Sequence, residues 1–326
     1  MRVAINGFGR IGRAVFRRAL EKGVNVVAVN DLASVEDLAY LLKYDSVYGV
    51  YDRSVEAGNG FIKVGGKKIN VTSKENPADL PWSELGVDVV VEATGFFASR
   101  DGASGHLLAG AKRVLITASA KDVDYTVVLG VNERGLKKEH KIVSMASCTT
   151  NCIAPVVKIL DDAFGIKKGF MTTVHAYTGD QALVDGAHKD FRRGRAAGVN
   201  LVPTTSGATR ATIDVIPKLK GKIDGMAIRV PIVCGSVCDF VCTVGKSVSV
   251  EGVNRAVKKA AGKMKGVLEY SEEELVSMDI VGNPASSIFD SKLTKVNGNL
   301  VKVLSWYDNE YGYSCRMIDL LEQLRW

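Results

Sequence analysis

The 326-residue sequence lacks any apolar run approaching the roughly 18 residues that cross a bilayer, so no transmembrane helix and no membrane partner are expected. Its opening, Met1-Arg2-Val3-Ala4-Ile5-Asn6, turns glycine-rich at Gly7 and does not read as a secretory signal. It also lacks internal repeats, low-complexity tracts and linker-like stretches. The six cysteines have no regular spacing, so neither a disulfide framework nor a metal site is expected, and a reducing, cytoplasmic setting is. Cys234, Cys238 and Cys242 share one face of a strand-like run. Successive steps are too far apart for a disulfide or a single metal, so they read as core packing. The net charge of +7 comes from basic residues spread along the chain without an aromatic–basic RNA-binding signature. The densest cluster, His188-Lys189-Asp190-Phe191-Arg192-Arg193-Gly194-Arg195, suits small phosphorylated molecules, RNA or plain solvation equally. Nucleic acid is not expected as the main partner.

What is present is an ordinary globular composition, 46% hydrophobic and 24% charged, in a chain long enough for two domains. Arg2-Val3-Ala4-Ile5-Asn6 reads as a buried strand, followed by Gly7-Phe8-Gly9-Arg10-Ile11-Gly12 and a helical pattern ending at Gly23. Strand, G-x-G-x-x-G and helix form the dinucleotide fingerprint. Gly7 permits the tight turn, Gly9 lets a pyrophosphate approach the backbone, and Gly12 lets helix and strand pack closely. A second strand, Asn25–Asn30, ends at Asp31, about twenty residues on, where a carboxylate accepts the ribose hydroxyls and repels a 2′-phosphate. The run Val87–Gly95 ends in small residues, Thr94 and Gly95, suited to lying under a cofactor. With Arg113–Ser119, Tyr125–Leu129 and Lys141–Ser144, these strands predict an α/β, doubly wound parallel sheet. Ligands of such sheets bind at the carboxyl ends of the strands, and Cys148 follows the last one.

Ser147-Cys148-Thr149-Thr150-Asn151-Cys152 is the stretch that the rest of the chain serves. A polar, thiol-bearing turn runs into the apolar helical pattern Ile153–Leu160, with Pro155 suited to a first helical turn. Cys148 is thus expected near a helix N-terminus, where the dipole and unpaired N–H groups favour the nucleophilic thiolate. Phe170–Tyr177 alternates like a strand and carries His175, an imidazole able to lower the thiol's pKa and move its proton. Thr178-Gly179-Asp180-Gln181 opens a long loop bearing the basic cluster. Ser206-Gly207 stands at the start of the helical segment 208–216, a setting for an anion. Arg229 lies in the otherwise apolar strand 226–231, with a planar fork suited to phosphate or to a buried ion pair. Strands such as Leu300–Tyr307, with helices near 251–264 and 311–325, predict an α+β second domain with a largely antiparallel sheet.

Three motifs then stand together in order: Ile5–Arg13, Ala146–Cys152 and Trp306-Tyr307-Asp308-Asn309-Glu310. With them the chain resembles the phosphorylating glyceraldehyde-3-phosphate dehydrogenases over essentially its whole length. The resemblance implies a Rossmann domain over 1–147, completed by a carboxy-terminal helix over 311–326, and a catalytic domain over 148–310. It also implies a homotetramer with the loop carrying Arg193 near a neighbour's cofactor. Cys148 and His175 are the implied catalytic pair, forming a thioester that inorganic phosphate cleaves. Arg10, Ile11, Asp31, Thr117 and Asn309 would hold NAD, with Tyr313 near the nicotinamide. The phosphate of the aldehyde would meet Thr178, Asp180 and Arg229; the attacking phosphate would meet Ser147, Thr149, Ser206, Gly207 and Arg193.

Some positions depart from the family pattern. Gly186-Ala187 replaces a Leu-Pro typical of NAD-specific members, whereas Asp31 and Leu32 argue for NAD; the expectation is NAD, with NADP as an open alternative. Glu75 stands where an arginine often flanks the adenine. The rival readings are erythrose-4-phosphate dehydrogenase, with the same thiol chemistry on a longer sugar, and a basic Rossmann-type RNA-binding protein.

Overall fold

In the computed structural model, which describes residues 1–324, the chain divides into two compact units. One comprises Met1–Val127, Arg134–Ala146 and the chain from Met317 on; the other comprises Val128–Glu133 and Ser147–Arg316. The helix Tyr311–Gln323 is therefore divided at Met317 instead of belonging whole to the first unit. Residues 325 and 326 of the expected 311–326 helix lie outside the described residues.

The first unit is built on a nine-stranded sheet. Its strands lie in the order Tyr125–Thr126, Ile142–Ser144, Arg113–Ile116, Val89–Glu92, Arg2–Asn6, Asn25–Asn30, Lys67–Thr72, Phe61–Val64 and Val55–Gly58. All neighbours as far as Lys67–Thr72 pair in parallel, and the last two strands are added antiparallel. The order reverses at Arg2–Asn6, whose flanking strands follow it in sequence on either side, which is the switch point of a doubly wound sheet. Apolar residues of the central strands explain the burial. Ala4, Ala28 and Val90 meet Leu80, Trp82 and Val87 in one cluster, and Val114, Ile116 and Ile142 meet Ala103 in another. Each large side chain so buried stabilises the fold by about 1.5–3 kcal/mol.

The second unit holds a seven-stranded sheet in the order Val202–Thr205, Ile223–Val230, Ile166–Ala176, Ser236–Val244, Leu300–Tyr307, Ser287–Asn297 and Leu268–Ser271. Four of its pairings are antiparallel and two parallel, so the sheet is largely antiparallel. One parallel pair joins Ile166–Ala176 to Ile223–Val230 and sets His175 opposite Arg229. The intervening long loop and helix Ala208–Val215 supply the crossover that parallel pairing needs. The strand Ser236–Val244 alternates strictly, burying Ser236, Cys238, Phe240, Cys242 and Val244. Cys238 and Cys242 are thus core residues, whereas Cys234 sits before the strand with its sulfur 3.2 Å from Asp308 Oδ1. All six cysteines are free thiols, and no group of metal ligands occurs among the described residues. None of the described helices is long and apolar enough to cross a membrane.

Candidate active site

The dinucleotide fingerprint folds as its glycines require. Gly7 has φ +89°, and a Cβ there would stand 2.7 Å from the Thr94 nitrogen. A Cβ on Gly12 would stand 2.0 Å from the Gly7 oxygen, so the helix Arg10–Glu21 could not approach the first strand. Gly9, the N-cap of that helix, has open space where a Cβ would be. Bare backbone beside open space at a helix N-terminus fits a pyrophosphate. A cavity of about 510 Å³ adjoins it, lined by Asn6, Gly7, Gly9, Asn30, Asp31, Leu32, Lys74, Glu75, Ala93, Thr94, Phe96 and Phe97. Its size lies within the range of small-molecule sites. Asp31 is held there by the Phe8 N–H on Oδ2 at 2.7 Å and the Ala33 N–H on Oδ1 at 3.1 Å. Each oxygen keeps a lone pair for a further donor.

Of the residues expected at the cofactor, Gly7, Gly9, Asp31 and Thr94 line this cavity, and Arg10, Ile11, Gly12, Gly95 and Thr117 do not. Arg10 pairs with Asp45 at 2.8 Å. Gly95 has φ +79° in the turn after Val89–Glu92, and Thr117 follows the strand Arg113–Ile116. Lining residues that sequence reasoning missed include Asn6, Asn30, Lys74, Phe96 and Phe97. The first two carried a usable signal: each is a polar residue closing an apolar strand.

In the second unit, Cys148 is the first residue of the helix Cys148–Phe164. Ser147 caps it, its Oγ accepting the Thr150 N–H at 3.1 Å. The helix therefore starts a full two turns before Pro155, which lies in its interior and not in its first turn. There the missing N–H forgoes one hydrogen bond of the ladder. His175 Nε2 lies 3.5 Å from Cys148 Sγ. The other ring nitrogen, Nδ1, lies 2.6 Å from the Ala176 carbonyl and 3.1 Å from Arg229 Nη1. The carbonyl can only accept and the guanidinium has other acceptors, which favours the tautomer with the proton on Nδ1. Nε2 then presents a lone pair to the thiol. Tyr307 packs edge-on against the imidazole, with ring centres 5.9 Å apart. Its hydroxyl bridges Thr149 and Thr173, each at 2.8 Å. Thr149 is consequently buried, with its hydroxyl shared with Tyr307.

The surroundings of Cys148, which is half-buried, work against the expected thiolate form. Burial pushes the Cys148 thiol up to about 11, against the opposing pull of Arg229 and of the Thr149 hydroxyl and N–H. Burial, then Arg229, pushes the His175 imidazole down to about 3. Desolvation is the larger effect because it penalises only the charged form. A neutral thiol faces a neutral imidazole, and a proton can pass from Sγ to Nε2 only as the sulfur bonds to an electrophile.

A chain of polar groups adjoins the pair. Arg229 Nη1 donates to the Ala176 carbonyl at 3.2 Å and to Thr178 Oγ1 at 3.1 Å. Thr178 Oγ1 donates to Asp180 Oδ1, whose other oxygen pairs with Arg193 at 2.6 Å. Arg193 also donates to Thr204 Oγ1 and the Thr205 carbonyl, at 3.0 and 3.3 Å. Arg193 also faces Asp190 at 3.7 Å, Arg229 reaches Asp180 only through the Thr178 hydroxyl, and the buried Nε of Arg229 has no hydrogen-bond partner among the described residues. An unspent buried guanidinium donor is what a phosphate would satisfy. Ser206 and Gly207 precede the helix Ala208–Val215, with Gly207 as its N-cap. Asn309 is buried, its Oδ1 accepting the Gly235 N–H at 3.2 Å and the Ser236 hydroxyl at 3.0 Å, so its amide nitrogen is the end left to donate. Tyr313 is buried in the helix Tyr311–Gln323, and burial holds its hydroxyl well above the usual phenol range.

Comparison with known proteins agrees with this geometry. Residues 1–100 match the family described as the NAD binding domain of glyceraldehyde 3-phosphate dehydrogenase, and residues 147–309 match the C-terminal domain of the same enzyme. The chain is 56% identical over 331 residues to a glyceraldehyde-3-phosphate dehydrogenase of Mycobacterium avium, covering 98% of this chain and 97% of the relative. It is 54% identical over 326 residues to one of Streptomyces coelicolor, with the same coverage. It is 52% identical over 328 residues to glyceraldehyde-3-phosphate dehydrogenase 2 of Bacillus subtilis, covering 99% and 96%.

Proposed function

Because the chain belongs to the glyceraldehyde-3-phosphate dehydrogenase family, we propose that it oxidises glyceraldehyde 3-phosphate with NAD and inorganic phosphate, yielding 1,3-bisphosphoglycerate and NADH. The observation that carries this reading is the 3.5 Å approach of Cys148 Sγ to the unprotonated Nε2 of His175. Cys148 attacks the aldehyde carbon, and His175 moves the thiol proton to the new hydroxyl of the hemithioacetal. His175 then removes that hydroxyl proton as the carbon is oxidised. NAD, when bound, supplies the hydride acceptor for this step. Inorganic phosphate attacks the resulting thioester, the acyl phosphate leaves, and His175 returns a proton to the Cys148 sulfur. The Cys148 N–H and the protonated imidazole stabilise the oxyanion at each tetrahedral stage.

Thr178, Asp180 and Arg229 receive the phosphate of the aldehyde, a role supported by the unspent Arg229 Nε. Ser147, Thr149, Ser206, Gly207 and Arg193 receive the attacking phosphate. Gly7, Gly9, Gly12 and Asp31 hold the pyrophosphate and ribose, with Arg10, Ile11, Thr94, Gly95, Thr117, Asn309 and Tyr313 completing the cofactor set. Leu32 and Phe96, both exposed at the cavity, supply apolar surface for the adenine. Asp31 favours NAD over NADP through repulsion of a 2′-phosphate. Leu183, Val184, Phe191, Val199 and Leu201 are exposed on the loop that carries Arg193. A self-associating surface, and the homotetramer of the sequence expectation, would cover them. Free thiols fit a reducing cytoplasm.

A steady-state assay of glyceraldehyde 3-phosphate oxidation, with NAD or NADP and with or without inorganic phosphate, tests the proposal. Turnover is expected with NAD and phosphate together. Equal turnover without phosphate, or faster turnover of erythrose 4-phosphate, would overturn it.

A further inference from the structure

Four adjacent parallel strands of the first unit end in polar side chains that bond to one another across the sheet. Register aligns Glu92, Asn6, Asn30 and Thr72 in one row. Asn6 Nδ2 donates to Glu92 Oε2 at 2.6 Å, and Asn30 Nδ2 donates to Asn6 Oδ1 at 2.7 Å. The Thr72 hydroxyl and the Lys74 N–H donate to Asn30 Oδ1, each at 2.9 Å. Behind Glu92 stand two further buried groups. The Trp82 indole, which can only donate, gives its N–H to His106 Nδ1 at 3.0 Å. His106 Nε2 therefore carries the ring proton and donates it to Glu92 Oε2 at 3.0 Å. In front, Glu92 Oε1 accepts the Thr94 N–H at 2.8 Å and the Thr94 hydroxyl, whose oxygen in turn accepts the Phe96 N–H at 3.1 Å.

Four donors converge on a carboxylate that is 1% exposed, and three of the four belong to Asn6 and Thr94, which line the cavity. Glu92, His106 and Trp82 do not line it. An apolar core would stabilise the sheet at less desolvation cost than this carboxylate does. What the carboxylate adds is direction: it fixes the turn that carries Phe96, an aromatic ring 90% exposed at the cavity wall. We propose that Glu92, backed by His106 and Trp82, is a positioning residue for dinucleotide binding, holding Asn6 and the Thr94–Phe96 turn in their bound arrangement before the cofactor arrives. Affinity is gained because that ordering is not left to the binding step. The proposal rests on the NAD reading above.

The test compares NAD affinity by calorimetric titration, steady-state constants and melting temperature in the full chain and three variants. Glu92→Gln turns one acceptor into a donor facing a donor, and should weaken NAD binding about tenfold. Its kcat at saturating NAD, and its KM for aldehyde and phosphate, should stay within about twofold, since the substitution acts on the ground-state pocket alone. Trp82→Phe, which removes the donor to His106 together with buried ring volume, should weaken NAD by about two- to threefold beyond any effect of Val90→Ala. Val90→Ala, in the same core cluster as Trp82, should lower the melting temperature and leave NAD affinity unchanged. Wild-type affinity in Glu92→Gln would overturn the proposal. So would an equal loss of affinity in Val90→Ala, which would reduce the network to stability alone. If Glu92→Gln fails to fold, Trp82→Phe decides, and unchanged affinity there overturns the proposal. A wild-type chain that does not bind NAD defeats the cofactor reading itself, and this proposal with it.

Discussion

At the strand ends of the amino-terminal unit, Glu92, Asn6, Asn30 and Thr72 satisfy one another, and the glycine turn is fixed by contacts that no Cβ could share. In the other unit the polar groups around Cys148 are left out of balance. The Arg229 Nε is buried with no partner among the described residues, and a thiol and an imidazole in contact are both disfavoured from charging. A binding surface gains from being complete before its ligand comes, because ordering is then not a cost of association. A reacting centre gains from groups whose needs are met only as the reaction proceeds.

This contrast can be broken from either side. The largest effect is expected from Cys148→Ala, which should cut NADH formation by about 10⁴-fold or more while NAD titration stays within about twofold of wild type. Substantial surviving turnover would move the chemistry to another residue. Next comes His175→Asn, for which kcat should fall by about 10²- to 10³-fold. Alkylation of Cys148 by iodoacetamide should climb with pH toward about 11 in the wild type. A kcat within about twofold of wild type in His175→Asn would end the imidazole's role as base. The same residue has a stability signature. Its native pKa of about 3 lies below the ordinary 6.5, so its contribution is present above about 6.5 and lost as pH falls toward 3. Chemical denaturation between pH 7 and 4 should therefore show a shallower decline in His175→Asn. The smallest effect is expected from Asp31→Ala, which should shift the NADP-to-NAD ratio of kcat/KM by about tenfold toward NADP. No change in that ratio would place cofactor selection outside the pocket built on Asp31.

Features set by neighbours in the chain were legible in the sequence. The glycine fingerprint, Asp31 following its strand and Cys148 at a helix N-terminus are all local geometry, and each stands where its spacing implied. Features set by packing were not. Helix position alone argued for a lowered thiol pKa, whereas burial, a tertiary quantity, pulls it upward. Pro155 looked like a helix start because nothing local reveals that packing can carry a proline in a helix interior. The ion pair of Arg193 with Asp180 depends on how the long loop folds back on itself, which no periodicity encodes. The row from Glu92 to Asn6 and Asn30 joins residues 86 and 24 positions apart, and only sheet register brings them together.

The alignment of His175 with Arg229 on neighbouring parallel strands has an evolutionary corollary. Backbone pairing fixes that juxtaposition, so the exposed intervening positions that neither close the crossover nor bind phosphate are free of the duty of maintaining it. They amount to an exchangeable cassette. Drift or engineering there can retune which molecules are admitted, while the reactive groups keep their mutual alignment.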